Sequence, residues 1–100
     1  MNLTINIYYT GKNGSAKEFV KEMISSGIVD QVRQERGNKR YEYFFSENDP
    51  ETVLLIDCWE NQEALDLHHK SPMMEKIAYL RNKYNLKMRV EQYISIAKDN

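Results

Sequence analysis

The chain has 100 residues, of which 41% are hydrophobic and 29% charged, and these fractions are ordinary for a globular domain. Its net charge of -1 gives no field that would hold nucleic acid or an anionic membrane, and no apolar run approaches the ~18 residues of a membrane span. The single cysteine, Cys58, has no partner for an internal disulfide, and the N-terminus lacks the basic flank of a signal peptide. We therefore expect one cytoplasmic domain over residues 1–100, with no nucleic-acid or membrane partner.

The first part of the chain predicts a strand followed by a helix. Apolar residues alternate with polar ones from Leu3 to Tyr9, a pattern typical of a strand with one buried face. Ser15 and Glu18 have the spacing of a capping box, so we expect Ser15 to cap the helix. We expect this helix to end at Gly27. The apolar stripe of this helix comprises Ala16, Phe19, Val20, Met23 and Ile24, and a further short helical turn is expected over residues 28–32.

The middle of the chain predicts a hairpin. A turn begins at Gly37, and a strand follows in which Tyr41, Tyr43 and Phe45 share one face. The next strand, residues 52–59, is nearly apolar on both faces, with Val53, Leu55 and Trp59 on one and Leu54, Ile56 and Cys58 on the other. A short loop joins the two strands, which favours an antiparallel pair.

The last part predicts a broken helix and a final strand. Asn61 is placed to cap a helix that runs from Gln62 to about Lys70. Ser71-Pro72 restarts the helix, because proline is tolerated at a first helical position and bars a straight continuation. Apolar residues at even positions from Leu86 to Ile96 predict the last strand.

The order strand, helix, strand, strand, helix, strand is the split pattern of α+β ferredoxin-like domains, with a four-stranded antiparallel sheet. The helices can cover only one face of that sheet, yet the third strand is apolar on both faces. A monomer would not tolerate so much exposed apolar surface. We therefore predict a homodimer in which two sheets pack face to face about a two-fold axis.

Two segments resemble the antibiotic-biosynthesis monooxygenase family. Glu35, Gly37 and Tyr41 match its E-x-G-x-x-x-Y pattern, and the segment from Trp59 through His68 to Ser71 matches its W-x-x-x-x-A-L-x-x-H-x-x-S pattern. The resemblance implies a dimeric α+β barrel with a pocket between sheet and helices in each subunit. For some members it also implies oxygenation of phenols or quinols without metal or flavin.

The resemblance points to a set of candidate site residues. We expect His68 and Trp59 to be catalytic, with His68 handling a proton and Trp59 stacking on a flat substrate. The candidates for substrate binding are Tyr9, Tyr43, Asp57, Met73 and Met74. Core packing remains an alternative for Trp59 and the two methionines, and a buried structural histidine for His68. A metal site of Asp57, Asp66 and His69 lacks any supporting spacing, so neither a metal nor another cofactor is expected.

The predicted function is cofactor-independent monooxygenation of a small phenol or quinol. The expected binding partner, besides a second copy of the chain, is therefore a small aromatic molecule. The alternative is an isomerase or a non-catalytic dimer that binds a small ligand, since one fold hosts several activities. Haem degradation is disfavoured, because relatives with that activity have an inward-facing Asn on the first strand, whereas Asn6 is predicted to point the other way. Met73 stands where many quinol-type members have a His. Whether the protein is an enzyme stays open at this point.

Overall fold

The structure is a computed structural model that describes residues 2–96. Its elements follow the predicted order, with each helical region divided into two helices. They are β1 (Asn2–Thr10), α1 (Ser15–Ser25), α2 (Ile28–Arg33), β2 (Asn38–Phe45), β3 (Thr52–Trp59), α3 (Gln62–His69), α4 (Met73–Lys83) and β4 (Lys87–Ser95). No helix within this described part is both long enough and apolar enough to cross a membrane.

The four strands form one antiparallel sheet in the order β2-β3-β1-β4. The central strands β3 and β1 are thus not consecutive in the chain, which is the ferredoxin-like arrangement, and the predicted α+β class is confirmed. In the register of the sheet, Asp57 of β3 lies between Tyr41 of β2 and Ile5 of β1. Directly paired residues project to the same face, so these three side chains are neighbours.

The two faces of the sheet differ in what covers them. On β1, β2 and β3 the helix-side face packs against the helices and forms the core; it carries Leu3, Ile5, Ile7, Tyr9, Tyr41, Tyr43, Val53, Leu55, Asp57 and Trp59. The same face of the edge strand β4 is not covered, since Met88, Val90 and Ile94 are 45%, 50% and 58% exposed. The open face carries Thr4, Asn6, Tyr8, Phe44, Leu54, Ile56 and Cys58, and it contributes nothing to the core cluster. Asn6 therefore points away from the helices, as its position in the alternation predicted.

The start of α1 differs from the predicted capping box. Gly14, with φ of 81°, is the residue that precedes the helix, and Ser15 is already inside it. The hydroxyl of Ser15 accepts a hydrogen bond from the Lys12 N–H at 3.0 Å, while the Glu18 carboxylate pairs with Lys21. The prediction that Ser15 caps α1 is wrong, because the left-handed glycine moves the helix start and leaves the Ser15 side chain facing the preceding turn.

The other helix boundaries agree with the sequence. The chain turns at Gly27, with φ of 84°, between α1 and α2. The Asn61 side chain accepts a hydrogen bond from the Ala64 N–H at 2.9 Å and so caps α3. The break between α3 and α4 falls at Ser71-Pro72, although Pro72 precedes α4 rather than opening it.

Gly37 brings the start of β2 into close contact with α3. Its φ is 85°, and a Cβ at this position would lie 2.5 Å from the Cβ of Ala64. Its carbonyl oxygen accepts a hydrogen bond from the Glu60 N–H at 2.9 Å. Only glycine satisfies both the left-handed backbone and the close approach. The consequence is that the loop before β2, with Glu35, lies against α3.

Candidate active site

Trp59 and Asp57 lie two residues apart on β3, so both side chains project to the helix side of the sheet. The indole N–H of Trp59 donates a hydrogen bond to Oδ1 of Asp57 at 2.7 Å. Trp59 is 0% exposed and Asp57 is 4% exposed. The hydrogen bond gives each buried polar group a partner, and it fixes the orientation of the indole against the carboxyl group.

Burial of Asp57 changes its acid–base chemistry. Removal from water raises the pKa of this carboxyl group from 3.8 to about 7, since the charged form loses its hydration. The hydrogen bond from Trp59 opposes this rise, and the negative charge of Glu35 adds to it. A carboxyl group with this pKa is about half ionised at neutral pH, so it can either accept or donate a proton there.

His68 stacks on Trp59 from the side of α3. The two ring centroids are 4.6 Å apart and the planes make an angle of 27°. His68 is 3% exposed, and it shares the buried face of α3 with Ala64 and Leu65. His69, the next residue, is exposed, as expected for a position about 100° further around the helix.

The imidazole of His68 is held by Glu35. Nδ1 of His68 lies 2.9 Å from Oε2 and 3.2 Å from Oε1 of the Glu35 carboxylate. Because a carboxylate only accepts hydrogen bonds, Nδ1 carries the proton. Burial lowers the pKa of His68, and the contact with Glu35 partly offsets that effect. The ring is therefore neutral at pH 7, and its Nε2 has a free lone pair that can accept a proton.

Three tyrosines lie on the same helix-side face of the sheet as Asp57. Tyr41 is its direct neighbour on β2, Tyr43 follows on the same face of β2, and Tyr9 belongs to β1. Desolvation raises the pKa of all three hydroxyl groups, so each stays protonated at neutral pH. Phe19 of α1 packs against two of them, with centroids 4.9 Å from Tyr9 and 6.2 Å from Tyr43. We call Asp57, Trp59, His68, Tyr9, Tyr41 and Tyr43 the buried centre.

The two methionines open α4. Met73 is 9% exposed and belongs to the core cluster, and Met74 is partly buried against that cluster. Their positions agree with the core-packing alternative considered for them from the sequence. The larger grooves lie elsewhere: one of about 380 Å³ is lined by Glu22, Ser26, Ile28, Glu75, Lys76, Tyr79 and Leu80. Of the predicted site residues, Asp57 and His68 are both in direct contact with Trp59, and these three are closed to solvent.

Two of the residues considered for a metal site, Asp57 and His69, lie in different surroundings. The Asp57 side chain is buried on the helix side of the sheet, whereas His69 is exposed on α3. Within residues 2–96 no group of three His, Cys, Asp or Glu side chains is placed to hold a metal ion. Cys58 is buried on the open face, where its sulfur accepts a hydrogen bond from the Thr4 hydroxyl at 3.6 Å.

Two residues of this region are not among the candidate site residues predicted from the sequence. Glu35 holds His68, and Tyr41 lies next to Asp57. Both belong to the E-x-G-x-x-x-Y segment, so the motif contained them without indicating what they contact. The sequence did indicate that Asp57 is buried, because it occupies an apolar position in the alternation Val53, Leu55, Asp57, Trp59.

Fold and buried centre together define a ferredoxin-like protein with an acidic and aromatic group enclosed between its sheet and its helices. The model of the antibiotic biosynthesis monooxygenase family matches residues 2–79, most of the chain. The chain therefore belongs to the antibiotic biosynthesis monooxygenase family, and the resemblance seen in the two sequence segments is confirmed. Among curated proteins no sequence matches.

Several solved structures share this fold at low sequence identity. A putative antibiotic biosynthesis monooxygenase from Deinococcus radiodurans has 18% identity and a TM-score of 0.82, over 100% of this chain and 97% of that one. A putative family member from Nitrosomonas europaea has 17% identity and a TM-score of 0.80, over 97% and 100%. SnoaB from Streptomyces nogalater, a cofactor-independent oxygenase solved as a point mutant, has 13% identity and a TM-score of 0.79, over 97% and 95%. At these identities the likeness concerns the fold.

Proposed function

We propose that this protein is a cofactor-independent monooxygenase that acts on a small phenol or quinol held between the sheet and the helices. The observation that carries the proposal is the buried carboxyl group of Asp57, bonded to Trp59 at 2.7 Å with tyrosines beside it. A titratable group that is both desolvated and enclosed by aromatic rings is typical of a site for proton transfer on an aromatic substrate. Family membership and the cofactor-independent oxygenase SnoaB support the same reaction class.

The chemistry requires little from the protein beyond a base and a dry cavity. Nε2 of His68 takes the proton of the substrate hydroxyl, and the resulting anion transfers an electron to O₂. The two radicals combine into a peroxide on the ring. Loss of water then yields the quinone, so that a phenol with a free para position plus O₂ gives a quinone plus H₂O. A 1,4-dihydroquinone is oxygenated instead at a free ring carbon next to the anionic oxygen, and with O₂ it gives a hydroxyquinone plus H₂O. One oxygen atom enters the ring and the other leaves as water.

Each remaining residue has a part in this proposal. Trp59 forms the wall on which the ring stacks, and Glu35 keeps the proton on Nδ1 of His68 so that Nε2 stays free. Asp57, Tyr9 and Tyr43 bind the oxygen substituents. Exclusion of water strengthens each of these interactions and protects the peroxide from side reactions.

Entry of the substrate requires a movement, because His68 and Trp59 are closed to solvent. We assign that movement to the first turn of α4, where Met73 and Met74 follow the break at Ser71-Pro72. Unbranched thioether side chains adopt many rotamers at small cost, so they can pack against a ligand as well as against the side chains of the protein.

A second candidate is an isomerase, or a non-catalytic protein of the same fold that binds a small ligand. The observation that favours it is the tight burial of Trp59 and His68, which are 0% and 3% exposed, together with the burial of Met73 in the core. Haem degradation is not favoured by the geometry, because Asn6 projects to the open face and not toward His68.

The decisive experiment is oxygen uptake with a panel of dihydroquinones and phenols in the presence of EDTA. Wild-type protein should consume one O₂ per quinone formed, and His68→Gln should lower kcat by on the order of 10² to 10⁴. His69→Gln, which changes the adjacent exposed residue, should leave kcat unchanged. No uptake with any compound would overturn the proposed function and leave the ligand-binding candidate. A haem titration should give no shift of the Soret band.

We also propose that a second copy of the chain covers the open face. Leu54 and Ile56 of the central strand β3 and Phe44 of the edge strand β2 form a half-buried apolar patch there. The Oδ1 atom of Asn6 is buried beside it without a hydrogen-bond partner in the described part of the chain. A facing sheet, about 10 Å away, would remove this apolar surface from water and offer donors to Asn6.

A further inference from the structure

A hollow of about 360 Å³ lies at the end of the sheet where β1 stops and β4 begins. The turn between β1 and α1, the residues that follow α4 and the first residue of β4 meet there. The lining residues are Thr10, Gly11, Lys12, Ser15, Tyr84, Asn85 and Lys87, none of which belongs to the buried centre. A volume of this size lies within the range of about 300–1,000 Å³ that is typical of sites for small organic molecules. We call it the basic hollow.

The basic hollow has positive charge that no carboxylate of its own lining neutralises. Lys12 and Lys87 line it, and no acidic residue does. Within residues 2–96 neither ammonium group forms a salt bridge, whereas the nearby Lys83 pairs with Glu22 at 2.7 Å. The whole chain has 15 acidic and 14 basic residues, so an excess of positive charge at one place is not a consequence of composition.

The acidic side chains of the adjoining loop between β2 and β3 already accept hydrogen bonds. The Asp49 carboxylate accepts the Thr52 hydroxyl at 2.6 Å, and the Glu51 carboxylate accepts the Gly14 N–H at 2.8 Å. Both carboxylates thus serve the structure of the loops. The two lysines remain available to an anion that is not part of the described chain.

The turn that carries Lys12 is fixed by hydrogen bonds. The Gly11 N–H donates to the carbonyl oxygen of Glu51 at 2.9 Å, and the Lys12 N–H donates to the Ser15 hydroxyl at 3.0 Å. A side chain at Gly11 would overlap that hydroxyl, so glycine leaves room for it. Because the Ser15 oxygen accepts the Lys12 N–H, its own proton is free to be donated to a ligand.

Tyr84 and Asn85 form the uncharged part of the basic hollow. The Tyr84 hydroxyl donates to the Glu22 carboxylate at 2.5 Å, which fixes the position of the ring. Asn85 has a φ of 52°, a left-handed conformation that asparagine tolerates, and its amide group has two N–H donors. An aromatic ring beside ammonium, hydroxyl and amide donors suits a ligand with an anionic group on a small organic body.

We infer that the basic hollow binds a small phosphate monoester, with the phosphate group between Lys12 and Lys87 and the organic part against the ring of Tyr84. A phosphate monoester has a charge of about −1.5 to −2 at pH 7, which matches two ammonium groups. Lysine binds phosphate as a point charge, whereas the planar carboxylate group is matched best by the fork of an arginine. This site is separate from the proposed monooxygenase centre and does not depend on that reaction.

The test is a titration of ¹⁵N-labelled protein with phenyl phosphate, followed by the shifts of the amide signals in a phosphate-free buffer of low ionic strength. The amides of Gly11, Lys12 and Ser15 should shift and reach saturation. Lys12→Gln and Lys87→Gln should each weaken binding about tenfold, as expected for the loss of one hydrogen bond to a charged group. Both lysines are exposed, so the substitutions should leave the fold intact.

Lys76→Gln is the matched control, because it removes the same charge from an exposed position of α4 that does not line the basic hollow. It should leave the affinity unchanged. If all three variants weakened binding equally, or if the shifts failed to saturate, the effect would be one of net charge and the inference would be wrong.

Two further probes separate the parts of the ligand. Benzyl alcohol, which has the ring but no charge, should not shift these amides. Inorganic phosphate should bind about tenfold more weakly than phenyl phosphate, since it lacks the contact with Tyr84. Equal affinity for the two phosphates would overturn the assignment to an ester, and equal shifts with benzyl alcohol would overturn the role of the two lysines.

Discussion

Glu35 and His68 are 33 positions apart in the chain, yet the carboxylate of the first lies 2.9 Å from Nδ1 of the second. The approach depends on Gly37, which lets the loop before β2 lie against α3. The contact sets the protonated nitrogen of the imidazole, and its charge partly restores the basicity that burial removes from the ring.

Replacing Glu35 should therefore change the titration of His68. In Glu35→Gln the amide keeps the shape of the side chain but loses the charge, so the already lowered pKa of His68 should fall further. The Cε1 proton of the imidazole reports this in an NMR pH titration. Glu63→Gln, the same change at an exposed position of α3, is the control and should leave the titration as it was. A rise in the pKa of His68 in Glu35→Gln would contradict the assignment.

Asp57 should make the folded protein less stable as the pH rises from about 4 to 7. The pKa of the native state, about 7, lies above the ordinary 3.8, so folding binds a proton across this range. The neutral carboxyl group stabilises the folded state fully below pH 3.8, and this stabilisation is lost as the pH rises through the native pKa of about 7. At 1.36 kcal/mol per pKa unit it amounts to about 4 kcal/mol.

Asp57→Asn should remove this dependence and be the more stable protein at pH 8, because the amide can accept the Trp59 N–H without carrying a charge. Urea unfolding at pH 4, 6 and 8 measures the difference. Asp66→Asn, on the exposed side of α3, should keep the slope of the wild type. If the free energy of unfolding changed with pH equally in the wild type and in Asp57→Asn, the pKa of Asp57 would not be raised in the folded protein.

Gly37 and Gly14 offer a matched pair of substitutions. Both have positive φ, 85° and 81°, but a Cβ meets Ala64 at 2.5 Å in the first case and nothing within 4 Å in the second. Gly14→Ala should lose only the ~1–2 kcal/mol of a left-handed alanine. Gly37→Ala should lose at least ~1 kcal/mol more, through the contact with α3. Denaturant midpoints measure both, and equal losses would mean that the close approach costs nothing.

The proposed dimer predicts the effect of a charge on the open face. Ile56→Glu places a carboxylate in the apolar patch, so sedimentation should find the wild type at twice the mass of the chain and the variant at the mass of one chain. Leu67→Glu, on the exposed side of α3, should stay dimeric. If the wild type sedimented as a monomer at micromolar concentration, the proposed dimer would be wrong.

Much of the fold was predictable because its signals are local. In β1 and β3 every second side chain enters the core, so the alternation from Leu3 to Tyr9 and from Val53 to Trp59 located the buried face. The same alternation placed Asp57 among buried residues. Asn61 and the Ser71-Pro72 break were predictable for similar reasons, since each acts through its own backbone.

The capping box and the hydrogen bond to His68 could not be predicted in this way. Ser15 and Glu18 have the right spacing, but the competing glycine at position 14 decides where the helix begins. The contact between Glu35 and His68 depends on how a loop packs on a distant helix, which no periodicity in either segment encodes. Whether the buried centre is open or closed depends on tertiary side-chain packing, and the sequence left that undecided.

The edge position of β4 affects how the protein will behave in concentrated solution. In the described sheet β4 pairs with β1 alone, so a row of its backbone donors and acceptors is available to a strand from another molecule. Face-to-face pairing of two chains leaves that row uncovered. Arg89 and Glu91, bonded at 2.9 Å, put charge beside it, and such charges hinder the lateral addition that starts a fibril. Salt weakens this protection, so samples kept at high ionic strength should be the first to form fibrils.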